Sequence, residues 1–181
     1  IDGPVVRDAG LSVKQAARFF ALRESELESS LLWLEQPGNY LITADHPLYP
    51  PLLRTIPDYP GAVFVKGNPD VLNAVQLAVV GSRAPSWYGE RWGKILCEQL
   101  SQSGLTITSG LACGIDGVAH NAALSAKGRS VAVLGNGLFS IYPRRHQALA
   151  ARLIDSGGAI VSEFPLSAQP RPGHFPRRNR I

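Results

Sequence analysis

From Leu77 onward one pattern repeats, and it leaves few folds open. Apolar strands "LAVVG" (77–81), "LTITSG" (105–110), "SVAVLG" (130–135) and "AIVSE" (159–163) recur roughly every 25 residues. Amphipathic stretches over 88–102, 115–126 and 144–156 separate them. Strands alternating with helices in this way form repeated βαβ units around a parallel sheet. The strands are continuous apolar runs, as expected when both sheet faces are covered. The fold class is therefore α/β: a Rossmann-like, doubly wound, mostly parallel sheet with helices on both faces.

The first forty residues differ. Ser12 and Gln15 form a capping-box pair ahead of Ala16, Phe19 and Phe20. A second helix is predicted over 24–35, with Leu27, Leu31 and Leu34 at helical spacing, and Pro37-Gly38 ends it. A small helical domain over 1–44 follows from this. Six prolines between Pro47 and Pro69 then exclude any long helix. Within that stretch, 62–66 reads as a short strand.

The formal net charge is +4, unevenly spread. Residues 1–80 carry 6 Lys/Arg and 9 Asp/Glu; residues 81–181 carry 12 and 5. A basic half points to a polyanion, or to a solvated basic face with no ligand. Cys97 and Cys113 show neither CxxC spacing nor a histidine at metal spacing, so a metal site and a disulfide framework are not expected. The two cysteines read as reduced thiols of a cytoplasmic protein; no apolar run approaches membrane-span length and no signal-peptide pattern opens the chain. The absence of Met, the initial Ile and the abrupt end at "FPRRNRI" suggest part of a longer protein.

Three glycine-rich loops follow the strands: Gly81-Ser82-Arg83, Ser109-Gly110 to Gly114, and Gly135-Asn136-Gly137. Each leads toward a helix, whose N-terminal amides favour anions. With Arg83, Arg144 and Arg145 nearby in sequence, the set favours a phosphate ligand. GxGxxG and GxxxxGK[ST] are both missing, and the second strand ends in Ser109 where a dinucleotide-binding domain carries an acid. A mononucleotide, a sugar phosphate or a nucleic-acid backbone remain. Asp116 and His120 share one helix face, either for acid–base work or, for Asp116, to tie down the glycine loop. Glu163 reads as the salt-bridge partner of an arginine. The last segment interleaves Arg171, Arg177, Arg178 and Arg180 with His174 and Phe175. Guanidinium groups beside a ring suit single-stranded nucleic acid; the same residues could instead serve internal packing.

Five ordered stretches, "AVVGSRAPSWYG", "TSGLACGIDGVAH", "VAVLGNGLFSIYPRRHQAL", "GGAIVSEFPL" and "HFPRRNRI", resemble the DNA-processing protein A family (DprA, also called Smf). They span Ala78 to Ile181. The resemblance implies an extended Rossmann domain over 45–181, lacking its C-terminal continuation, that binds single-stranded DNA. It further implies protection of incoming DNA in natural transformation, loading of the recombinase RecA, and homodimerisation through this domain. It implies no enzymatic reaction and no cofactor. Carried over by motif, the DNA-binding residues are Arg83, Gly110, Gly114, Asp116, Arg144, Phe175, Arg178 and Asn179. Gly81, Ser82, Ser109, Gly135, Gly137 and Arg145 join them from the loop reading. Phe139, Asn136 and His146 depart from the family pattern in the third loop. The rival is a nucleotide-binding enzyme of the nucleoside-monophosphate hydrolase type, with Asp116, His120 or Glu163 as acid–base groups. The PGGxGT motif of such relatives is missing. An interaction scaffold with an acidic partner is a third reading.

Overall fold

The computed structural model describes residues 24–181. The expected helix with the Ser12–Gln15 cap lies outside them. The chain divides into two compact units, 1–36 and 37–181. In the first unit, helix α1 (Glu24–Leu34) has its Ser29 and Ser30 hydroxyls bonded to the carbonyls four residues back. Gly38, at φ +81°, follows it.

The second unit is a six-stranded sheet. Its strands are β1 (Asn39–Thr43), β2 (Ala62–Gly67), β3 (Gln76–Ala78), β4 (Thr106–Ser109), β5 (Ser130–Val133) and β6 (Ala159–Ser162). The spatial order is β1-β2-β6-β5-β4-β3. The three pairs from β3 to β6 are parallel, and the two pairs involving β2 are antiparallel. The sequence did not signal β1. It lies inside the expected helical segment 1–44, yet Asn39 to Thr43 pair with Lys66 to Ala62.

Helices α2 (Trp87–Gln102), α3 (Ile115–Ser125) and α4 (Gln147–Asp155) connect the parallel strands. The expectation of a doubly wound sheet with helices on both faces takes a specific form. From β3 to β6 every strand is added in the same direction, so right-handed crossovers put α2, α3 and α4 on one face. Two short 3-10 helices, Pro51–Thr55 and Pro69–Asn73, come from the proline-rich stretch, each with Pro in its first turn. The second covers the other face: Val71 and Leu72 pack with Val131, Val133, Ala159 and Val161. On the α-helical face Ile107 packs against Cys97, Ala119, Ala122 and Ala123. Small alanines let α2 and α3 approach closely.

The third connection is not one helix over 144–156. After Pro143 the first turn is 3-10 (Arg144–His146), and α4 begins at Gln147. The last segment, expected to be irregular, contains the short helix α5 (His174–Arg178). The side of α2 away from α3 and the neighbouring β3 expose Leu77, Tyr88, Trp92 and Leu96, while exposed Trp87 lines the groove between α2 and α3.

Where β6 enters the sheet, a Cβ at Gly158 would collide with the Ser130 and Leu153 carbonyls. At Gly61 the space is open. Gly158→Ala should cost about 1–3 kcal/mol through overpacking, while Gly61→Ala should stay within about 0.5 kcal/mol. Urea melts of the two variants check the contrast; equal midpoints would contradict the packing of β6 against β5.

Candidate functional site

The C-terminal ends of β3, β4 and β5 open into a crevice of about 190 Å³. Gly81, Arg83, Ser109, Gly110, Asp116, Phe175, Arg178 and Asn179 line it, with Ala78, Val80, Thr108, Ala112, Val133 and Ile181. No reversal of strand order occurs at this point. The crevice is shaped by α5, which lies across the strand ends.

Its floor is Arg178, only 8% exposed. Nη1 donates to the Gly110 carbonyl at 2.7 Å and to the Val133 carbonyl, and Nε donates to Asn179 Oδ1 at 3.1 Å. Burial pulls the guanidinium below its ordinary range; Asp116 opposes that shift and Arg83 adds to it. An arginine remains a cation under such conditions. Its position explains Gly110, because a Cβ there would collide with the Arg178 guanidinium. Gly114 has a related reason. It lies at φ +80°, and a Cβ would collide with the Ser82 carbonyl and the Arg83 backbone. The Ile115 amide, first in α3, donates to that same Ser82 carbonyl at 3.1 Å. The two glycines therefore admit the protein's own arginine-bearing segments.

Arg83 is exposed at the lip. Its guanidinium lies over the Phe175 ring, 5.3 Å from the centroid. Phe175 is half-buried, packs on Gly135 and meets the exposed Tyr142 ring at 5.8 Å. A shallower groove continues from the lip along Arg83, Tyr142, Arg171, Phe175 and Asn179. Sequence reasoning missed Tyr142; its pairing with Phe175 spans 33 positions and carries no local signal.

The remaining expected residues are placed differently. The Ser82 hydroxyl accepts the Ala84 N–H, and the Ser109 hydroxyl donates to the Val79 carbonyl. Gly135 and Gly137 are buried. The Gly135 carbonyl accepts from His174 Nδ1, and the Gly137 N–H donates to the Ala168 carbonyl. Neither glycine lines the crevice; Gly135 packs on Phe175 and Gly137 on the Pro165–Leu166 backbone. Arg144 and Arg145 are exposed on their 3-10 turn and line neither the crevice nor the groove.

Asp116 is buried and accepts the Ala112 N–H at 3.2 Å, tying down the glycine loop. His120 is 0% exposed. Ser130 Oγ donates to the Ile107 carbonyl at 2.6 Å and therefore accepts from His120 Nδ1 at 2.7 Å. That leaves Nε2 to accept the Leu111 N–H at 3.3 Å. Both ring nitrogens are occupied inside the protein, so His120 has no open path to a ligand. Glu163 pairs with Arg177 at 3.2 Å and Arg180 at 2.7 Å, and Arg180 reaches Asp58. These pairs anchor α5 and its following residues over the sheet. Among the described residues no cluster of metal-ligating side chains occurs, both cysteines are free thiols, and no helix is long and apolar enough to cross a membrane.

Fold and crevice together describe a Rossmann-like α/β domain with cations and an aromatic ring gathered at its strand ends. The family model for DNA recombination-mediator protein A matches residues 40–181. Protein Smf of Escherichia coli K12 is 60% identical over all 181 residues, which cover 48% of its length. The crystal structure of DNA processing protein A from Streptococcus pneumoniae superposes with a TM-score of 0.76 at 36% identity, covering 91% of this chain and 56% of that one. DNA processing protein A of Helicobacter pylori, described for its single-stranded DNA binding mode, gives a TM-score of 0.68 at 25% identity over 78% of this chain and 62% of that one. The chain belongs to the DprA/Smf family of DNA recombination-mediator proteins, and it spans about half the length of its Escherichia coli relative.

Burial pulls the His120 imidazole down to about 3, and electrostatic interactions with His146 and Arg178 add to the effect. In the unfolded chain it titrates near its ordinary value of about 6.5. Between these values the unfolded state binds more protons, so stability is complete above the upper one and falls as pH drops. The slope is about 1.4 kcal/mol per pH unit, or on the order of 2 kcal/mol between pH 6.5 and 5. Urea melts across this window should show the loss in the unsubstituted chain and a flatter profile in His120→Gln. Parallel profiles would rule out His120 as the titrating group.

Proposed function

We propose that this chain binds single-stranded DNA along the crevice and groove at the ends of β3–β5. The observation that carries the reading is the exposed Arg83 guanidinium over the half-buried Phe175 ring, beside buried Arg178. A cation at a lip neutralises a phosphate, and a ring next to it offers a stacking surface for a base. The single-stranded DNA binding mode of the Helicobacter pylori protein supports the same ligand class. Exposed Arg144 and Arg145 would extend the cationic track beyond the groove. Sequence selectivity should be low, since phosphate contacts and stacking carry little base information.

In the whole protein, this binding would protect incoming DNA during natural transformation and help load RecA onto it. We place that role in the cytoplasm, in a homodimer formed through the Rossmann-like domain, with no reaction catalysed on the DNA. Membership of the recombination-mediator family supports the role.

The test is fluorescence anisotropy of labelled oligo-dT with the purified chain at two salt concentrations, competed by unlabelled single strand, duplex and AMP. Binding should weaken with salt and be displaced best by single strand. Arg83→Ala should lower the log–log salt slope by about 0.7 for each phosphate that the guanidinium neutralises. Phe175→Ala should cost about 1–3 kcal/mol of affinity. Displacement by micromolar AMP, with release of adenine, would overturn the reading in favour of a nucleotide-cleaving site.

A further inference from the structure

The imidazoles of His120 and His146 hold the backbone of Leu111 from its two ends. Leu111 has a left-handed backbone, φ +57°, and a fully buried side chain. That conformation is uncommon for a residue with a Cβ and needs support from its surroundings. Its N–H is accepted by His120 Nε2 at 3.3 Å. Its carbonyl can only accept, so the contact to His146 Nδ1 at 2.8 Å requires the proton on that nitrogen. The two histidines come from different elements. His120 is in the interior of α3, whereas His146 ends the 3-10 turn that carries Arg144 and Arg145.

Gly117 provides the seat for the second ring. A Cβ on that residue would lie 3.0 Å from His146 Cε1, tighter than ordinary van der Waals contact. Glycine inside a helix costs about 1 kcal/mol relative to alanine, so its presence in the first turn of α3 needs a local reason. The close approach of His146 supplies one. Through the hydrogen bond at Leu111, the glycine loop that carries Gly110 and Gly114 is joined directly to the arginine turn. Among the described residues, no hydrogen bond or ion pair of the Arg144 or Arg145 side chains ties them to that loop.

We propose that His146 is a positioning residue: it latches the Arg144–Arg145 turn to the Leu111 carbonyl and so fixes the spacing between the outer arginines and the Arg83–Arg178 crevice. The consequence for affinity rests on the DNA-binding reading above; the latch itself does not. With the latch closed, both cationic groups meet one strand without being ordered on binding, which lowers the entropic cost of association.

The test uses the 181-residue chain with His146→Ala, His146→Asn, Arg144→Ala/Arg145→Ala, and the triple combination with His146→Ala. His146 is half-buried, so the alanine variant should remain folded, which circular dichroism melting verifies. Amide hydrogen exchange without DNA should be faster at 111–114 in His146→Ala and near the unsubstituted rate in His146→Asn, whose side-chain amide can donate from the Nδ1 position. Oligo-dT affinity should fall about fivefold in His146→Ala, the net worth of one hydrogen bond. The salt slope should become shallower and His146→Asn should restore both. In the double-arginine background the same His146→Ala change should lower affinity less than about twofold, because the latch then positions nothing. An equal loss in both backgrounds, or identical behaviour of the alanine and asparagine variants, overturns the proposal. If the unsubstituted chain does not bind oligo-dT, the DNA-binding reading fails, and exchange decides the latch: unchanged rates at 111–114 in His146→Ala overturn it.

Discussion

A buried guanidinium holds the functional end of this domain together. Parallel strands end in carbonyls with no further ladder partner, and such groups are costly to bury unpaired. Arg178 meets two of them, at Gly110 and Val133, on neighbouring connections of the sheet. The cation in turn needs partners of its own. It finds them in those carbonyls, in the Asn179 side chain and in the nearby charge of Asp116. One side chain thus closes the strand ends, anchors α5 and places positive charge in the crevice floor.

The glycines acquire their meaning from this arrangement. A strand-to-helix turn rich in glycine suggests an anion approaching bare amides. Here the first approach is made by protein. Gly110 accepts the Arg178 guanidinium against its Cα, and Gly114 accepts the Ser82–Arg83 backbone. The amide that opens α3 is already bonded to Ser82. Positive charge at the rim therefore resides mainly in guanidinium groups, which can reach a strand passing above the surface. Backbone amides sunk in a turn would require the phosphate to enter.

A second set of contacts keeps these segments in place. Glu163 joins Arg177 and Arg180, so the acid at the end of β6 holds the residues on both sides of Arg178. Phe164 and His174 stack at 4.2 Å, and His174 bonds to Gly135. On the far side of the loop, Asp116 and His120 fix successive amides at Ala112 and Leu111. Buried hydrogen bonds such as those of Asp116 and His120 favour one geometry over its alternatives. The residues that resembled an acid–base pair on one helix face are committed to this geometry.

The alternation of apolar runs with helical stretches sufficed to determine the class of fold, because side-chain period and segment length report burial directly. β4, β5, β6 and the cores of α2 and α3 are legible for that reason. β1 was not, since "NYLIT" buries only Asn39 and Ile42 and so shows no strict period-2 alternation. The basic, aromatic character of the last segment and its likeness to a family were also legible in the residues themselves. Tertiary structure alone decided which arginines share a crevice. Gly110 and Arg178 are 68 positions apart, and Arg83 and Phe175 meet only because α5 folds back across the strand ends. It also decided that Gly135 lies against Phe175 of that helix, Gly137 against the Pro165–Leu166 backbone, and Arg144 and Arg145 outside the crevice. Local sequence encodes propensity and burial; which distant groups satisfy one another's charge and hydrogen bonds is settled when the sheet forms and its strand ends must be closed.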